Sequence, residues 1–149
     1  QSNDAAWAQE PGHEDDNRWV HRARMHWEVA ARRHTAGTPE HRVFEGIAHI
    51  AATRARLPHL HASVPSTVLG VWDPGVLVFA RRHPVGTMLA AYNVTDSWRP
   101  IPGWVLRQEG LSGATEALTG ARVRVENDDN VWLPPHAVWW LVDHIPPHA

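Results

Sequence analysis

The sequence predicts a mixed fold: a helical, loop-rich segment over 1–60, then an all-β antiparallel sandwich over 61–149. Three observations predict it. Only one long stretch, Thr38 to Arg56, keeps a helical period. Past Pro58 the chain turns to short β-rich runs, with turn signals about every eight to twelve residues, the spacing of a sandwich. Residues 1–24 keep no period at all, and Trp7 and Trp19 are their isolated apolar anchors.

In order, 1–24 reads as one long loop, and Met25 to Arg33 as a short helix. Thr38 suits an N-cap, Pro39 the first helical position and Glu40 the positive end of the dipole. Val43, Phe44, Ile47, Ile50 and Ala51 then recur at three-to-four spacing and make one apolar stripe. Arg54 and Arg56 suit the negative end, and Pro58 stops the helix. Such a helix is marginal alone in water, so the stripe requires a partner surface.

Ser66–Trp72 and Val76–Arg82 read as strands joined by the turn Asp73-Pro74-Gly75. Thr87–Val94 follows, then short runs at 98–101, 104–107, 114–118 and 121–125. Asn127 to Asn130 is a turn before Val131-Trp132-Leu133, and His136–Asp143 is the last run. The continuous apolar run Val76–Ala80 belongs at the centre, buried on both faces. Neighbouring Trp139 and Trp140 point to opposite faces of a strand.

Composition narrows the function. Fourteen arginines and no lysine stand against sixteen acids, with no basic stripe, which argues against nucleic acid. No cysteine means no disulfide framework and no thiolate metal site. No apolar run approaches a membrane span of about 18 residues. The compartment stays open between a bacterial cytoplasm and secretion. The chain opens on Gln1, which fits a segment of a longer polypeptide or a processed product. Nine tryptophans against two phenylalanines and one tyrosine favour either core packing or carbohydrate-facing surfaces.

Charge concentrates in Glu14-Asp15-Asp16-Asn17-Arg18-Trp19-Val20-His21-Arg22. Such a loop sits in a core only if its charges are paired. Arg18 offers five donors in a rigid fork, suited to carboxylates and sugar hydroxyls. The plainer reading is a solvated loop anchored by Trp19. Asp15-Asp16 and Asp128-Asp129 are adjacent pairs whose side chains diverge, so capping and turn formation fit them better than catalysis. His59-Leu60-His61 lacks a third ligand, so no metal is expected. Asn93-Val94-Thr95 has the form of a glycosylation acceptor but reads as structural at a strand end.

The run Asp15-Asp16-Asn17-Arg18-Trp19-Val20-His21-Arg22, with Met25, Trp27 and Glu28, resembles the loop after the eighth barrel strand of amylosucrases, in glycoside hydrolase family 13 of the α-amylase superfamily. The likeness continues through Gly37-Thr38-Pro39-Glu40, Leu57-Pro58-His59-Leu60-His61-Ala62, Tyr92-Asn93-Val94-Thr95, Trp98-Arg99-Pro100 and Trp139-Trp140-Leu141-Val142-Asp143. It implies that 1–60 is the last loop and helix of a (β/α)8 TIM barrel and 61–149 the antiparallel C-terminal domain. The family cleaves sucrose, releases fructose and transfers glucosyl units to an α-1,4-glucan with retention. Its aspartate nucleophile and glutamate acid/base lie on earlier strands, so no catalytic residue is expected in this stretch. The resemblance places Arg18 at the floor of the glucosyl pocket, with Asp16 and Trp19 as loop support. It implies sucrose and α-glucan as partners through the parent barrel, and the preceding barrel segment as a covalent one. No cofactor is implied, and a homodimer stays open. Two positions depart from the family's pattern: Ala23, where many relatives have proline, and His26, where close relatives tend to have aspartate.

Three readings compete. The first is the C-terminal part of an amylosucrase-type transferase, or of a related sucrose hydrolase. The second is a carbohydrate-binding sandwich using exposed indoles, and the third a purely structural domain.

Overall fold

A computed structural model describes residues 9–13 and 25–145. The chain forms two compact units, Gln1–Ala48 and His49–Ala149. In the first, α1 (Trp27–Ala31) runs into a 3-10 turn over Arg32–His34. Thr38 then caps α2 (Pro39–Arg56), because the His41 N–H donates to Thr38 Oγ1 at 3.2 Å. Cap and ends fall where the sequence puts them. What α2 buries is the reverse of its pattern. Val43, Phe44, Ile47 and Ile50 are all exposed, Ile47 at 63%, while Thr53 is its one fully buried residue.

The second unit is antiparallel β-structure. Its elements are β1 (Thr67–Leu69), β2 (Val76–His83), β3 (Gly86–Asn93), β4 (Arg99–Pro102), α3 (Gly103–Gln108), β5 (Thr115–Glu116), β6 (Asn130–Leu133) and β7 (Val138–Val142). The larger sheet has the order β1-β2-β3-β7-β5, and β4 pairs with β6 in a second sheet. The β1–β2 connection uses the expected turn: the Val76 N–H donates to the Asp73 carbonyl at 3.1 Å, and the Gly75 N–H to Asp73 Oδ1 at 2.8 Å. A Cβ on Gly75 would stand 2.5 Å from the Thr95 methyl, so only glycine fits there.

Two apolar clusters cover the two faces of the large sheet. Val78, Ala80, Leu89, Ala91 and Leu141 pack with Ile101, Val105, Leu106, Val131 and Leu133 from β4, α3 and β6. Met88, Ala90 and Val142 pack with Leu57 and Ala117. The register sets Trp139 opposite Ala91 and Trp140 opposite Ala90, so each indole packs on a different cluster.

Three local expectations change. The doubly buried strand is β3, where Met88 to Ala91 are all buried; β2 alternates, with Leu77 exposed. Residues 104–107 form α3 instead of a strand. The helix closes on Gly110 at φ 75, with Leu111 N–H to Leu106 carbonyl at 2.8 Å and Gly110 N–H to Arg107 carbonyl at 3.1 Å. That is the Schellman pairing, and it lets consecutive Val105 and Leu106 both face the core. The run at 121–125 forms no strand and keeps a single isolated bridge, Thr115 to Arg122.

Arg81 on β2 ties down the segment that leads into the sandwich. Its Nε donates to the His59 carbonyl at 2.6 Å, and its Nη2 to the carbonyls of His61 and Val64, each at 2.7 Å. Nη1 reaches Ser66 Oγ at 3.0 Å. One guanidinium thus satisfies four acceptors of an otherwise irregular stretch.

Candidate functional site

Asp16, Arg18 and Trp19 lie outside the described residues, as does the pair Asp15-Asp16. The described part next to that loop begins at Met25. His26 Nδ1 stands 3.3 Å from the Glu28 carboxylate, and Trp27 is exposed. Met25, His26, Val29, Ala30 and Glu40 line a shallow cleft of about 520 Å³.

In the second unit, an open cleft of about 580 Å³ lies among the end of α2, the β2–β3 hairpin and the end of β7. His59 is its buried wall, only 4% exposed. Its ring meets His83 edge-on with centroids 5.8 Å apart. Burial holds the His59 pKa below its ordinary 6.5, and repulsion from His83 and His144 adds to the shift. A hydrogen bond with the Gly86 backbone partly opposes it. Burial and its neighbours thus disfavour the charged ring, and its buried Nδ1 has no hydrogen-bond partner among the described residues. Among the described residues no group of three or more His, Asp or Glu could hold a metal ion.

Three acids of this unit are bound into structure. Glu116, buried on β5, accepts from the Leu118 and Trp140 N–H groups through Oε1 and from the Thr119 N–H and hydroxyl through Oε2. Asp128 accepts from the Asn130 N–H at 3.1 Å and from the Trp132 indole N–H at 3.0 Å. Hydrogen bonding from the Asn130 side chain first, then from the Trp132 indole and the Asn130 N–H, holds its pKa below the usual carboxylate value against the opposing effect of desolvation. Asp129 receives both Nη atoms of Arg107, at 2.6 and 2.8 Å, which lowers its pKa in turn. Both aspartates therefore form the turn, as their adjacency implies. Asn93 is buried and structural: its Nδ2 donates to the carbonyls of Ser97, Leu133 and Pro134.

The model of the amylosucrase C-terminal domain matches residues 66–142. The chain belongs to that family. As an amylosucrase C-terminal domain, it is the C-terminal portion of a glycoside hydrolase family 13 protein. Among solved structures it is similar to a variant of AmyP in complex with maltotriose, at 14% identity and TM-score 0.59 over 76% of this chain. AmyP in complex with maltose gives 14% identity and TM-score 0.56 over 75%. At that identity the likeness speaks for the fold. The chain spans about a quarter of each AmyP chain, 23% and 22%. In this amylosucrase-type domain the tryptophan count was the signal for surface indoles, and Trp72, Trp98, Trp104 and Trp132 are exposed. Their spatial grouping could not be read from spacing, because it depends on how the two sheets pair.

Proposed function

We infer that this chain is the C-terminal part of an amylosucrase-type glucosyltransferase, which cleaves sucrose and passes the glucosyl unit to an α-1,4-glucan. Residues 1–60 would supply the last loop and helix of a (β/α)8 barrel, and 61–149 the domain that follows it. The observation carrying this reading is the inversion in α2, which shows four large apolar side chains and buries a threonine. Each such side chain gains about 1.5–3 kcal/mol when covered. A stripe of that value, left facing water, fits a helix whose covering surface is other polypeptide. Barrel strands preceding this chain would be that surface, and they would carry the aspartate nucleophile and glutamate acid/base of a retaining mechanism.

In this reading Arg18 grips a carboxylate at the floor of the glucosyl pocket. A guanidinium does this through two parallel N–H bonds that an ammonium cannot reproduce. The test is sucrose turnover by the intact enzyme carrying Arg18→Ala or Arg18→Lys. Both should lose turnover by about a hundredfold or more with the melting temperature unchanged, as when a fixed charge contact is removed from an active site. Near-wild-type kinetics in both would remove Arg18 from the site.

A further inference from the structure

Where the small sheet meets the edge of the large one, a groove of about 410 Å³ has three indole walls: Trp98, Trp132 and Trp139. Two of the indoles are set by the framework, and the third stands beside a braced corner. Trp98 follows the corner held by buried Asn93, whose Nδ2 takes the Ser97 carbonyl at 2.7 Å. Trp132 is oriented by its indole bond to Asp128, and Trp139 is half-buried on β7 against the main core. Trp98 nonetheless stays 59% exposed and Trp132 38%. An indole held in place yet left partly open to water, as Trp132 is, needs little ordering when a ligand arrives, which favours a preorganised site.

The polar lining indicates what kind of ligand. Arg122, Arg124, Glu116 and Glu126 give two charges of each sign, so the groove suits a neutral molecule. Arg122 is engaged with the Gly113 carbonyl at 2.6 Å, and Glu116 is consumed by backbone N–H groups. Arg124 and Glu126 are exposed, two residues apart, and have no side-chain partner among the described residues. One is a forked donor and the other a forked acceptor. Vicinal hydroxyls suit both, while the apolar faces of a sugar ring suit the indoles. A phosphate or nucleotide would be opposed by Glu126. A flat apolar molecule would leave both polar groups unused and desolvated.

We propose that the groove bounded by Trp98, Trp132 and Trp139, with Arg124 and Glu126 on its rim, is a binding site for a neutral oligosaccharide, specifically a segment of α-1,4-glucan. The glucan assignment rests on the function inferred above; the neutral-sugar chemistry rests on the groove. Its volume, at the low end for ligand pockets, admits a short stretch of chain. Binding there would hold the polymer on the protein without touching the reaction itself.

The test is retardation of the intact protein in native gels containing amylose, with a maltoheptaose titration read by tryptophan fluorescence. Trp98→Ala and Glu126→Ala are the variants, since both side chains are exposed and neither closes a core. The expected result is about tenfold weaker glucan affinity in each, as for loss of one anchoring side chain. Unfolding midpoints and sucrose turnover measured without glucan should be unchanged. Wild-type retardation in both variants would overturn the proposal, as would quenching by cellohexaose but not by maltoheptaose. Retardation that needs Trp98, from a protein that does not turn over sucrose, would support the groove while refuting the sucrose reading.

Discussion

Replacing Asn93 should separate the corner that presents Trp98 from the sheet behind it. Asn93 is 2% exposed on β3, and its side chain makes every contact it can. Nδ2 donates to the Ser97, Pro134 and Leu133 carbonyls at 2.7, 2.8 and 3.2 Å, and Oδ1 accepts from the Thr95 N–H and hydroxyl at 3.0 and 2.8 Å. Pro134 and Leu133 lie at the end of β6, so this one amide staples the two sheets together. Asn93→Ala removes about 1 kcal/mol for each bond that water cannot replace and leaves buried acceptors, so a loss of about 3 kcal/mol is expected. Asn93→Asp should be worse at neutral pH, because a carboxylate oxygen would replace the donor amid three carbonyl oxygens. Burial and those carbonyls raise the pKa of the new group, so acidification should narrow its deficit relative to Ala. Urea unfolding of the pair at pH 7 and pH 5 measures this, with a midpoint drop of about 1–3 M for Ala. An Asp variant as stable as wild type at pH 7 would refute the reasoning.

Two other outcomes follow from the same packing. The His59 pKa lies below 6.5 in the folded chain, so stability is complete above about pH 6.5 and falls as pH drops toward the folded value. His59→Phe should flatten that part of the pH–stability curve, read by thermal melts between pH 7 and pH 5, and an unchanged slope would exclude His59 as the cause. Arg81→Ala should leave three backbone carbonyls over 59–64 without their donor, and protease cleavage within 58–66 should become at least tenfold faster. Arg81→Lys should restore little of the protection, because one ammonium cannot reach four acceptors.

Much of the fold could be read in the sequence because its signals are local. Thr38 and Pro39 announce the start of α2, Asp73-Pro74-Gly75 announces the first hairpin, and Asn93-Val94-Thr95 closes on itself within three residues. The misread parts depend on partners far along the chain. Val105 and Leu106 look like strand residues until Gly110 and the Asp129 carbonyl, which accepts the Gly103 N–H at 2.7 Å, fix them in a helix. Arg122 to Val125 look like strand too, yet only Arg122 finds a bridge partner. No spacing rule brings His59 to His83 and His144, or Trp98 to Trp132 and Trp139, since strand order decides both meetings. The roles given to Asp16, Arg18 and Trp19 rest on resemblance alone, and these residues lie outside the described ones.

Thiol labelling at Ile47→Cys tests most directly whether α2 is a stave of a larger barrel. The chain has no cysteine of its own, so a single thiol reports on the exposed stripe. Reaction with a soluble maleimide should be fast in this 149-residue chain and at least a hundredfold slower in the intact protein, after subtraction of labelling in the parent without the substitution. Equal rates in the two would show the stripe facing water in the assembled molecule, and the barrel assignment would be wrong.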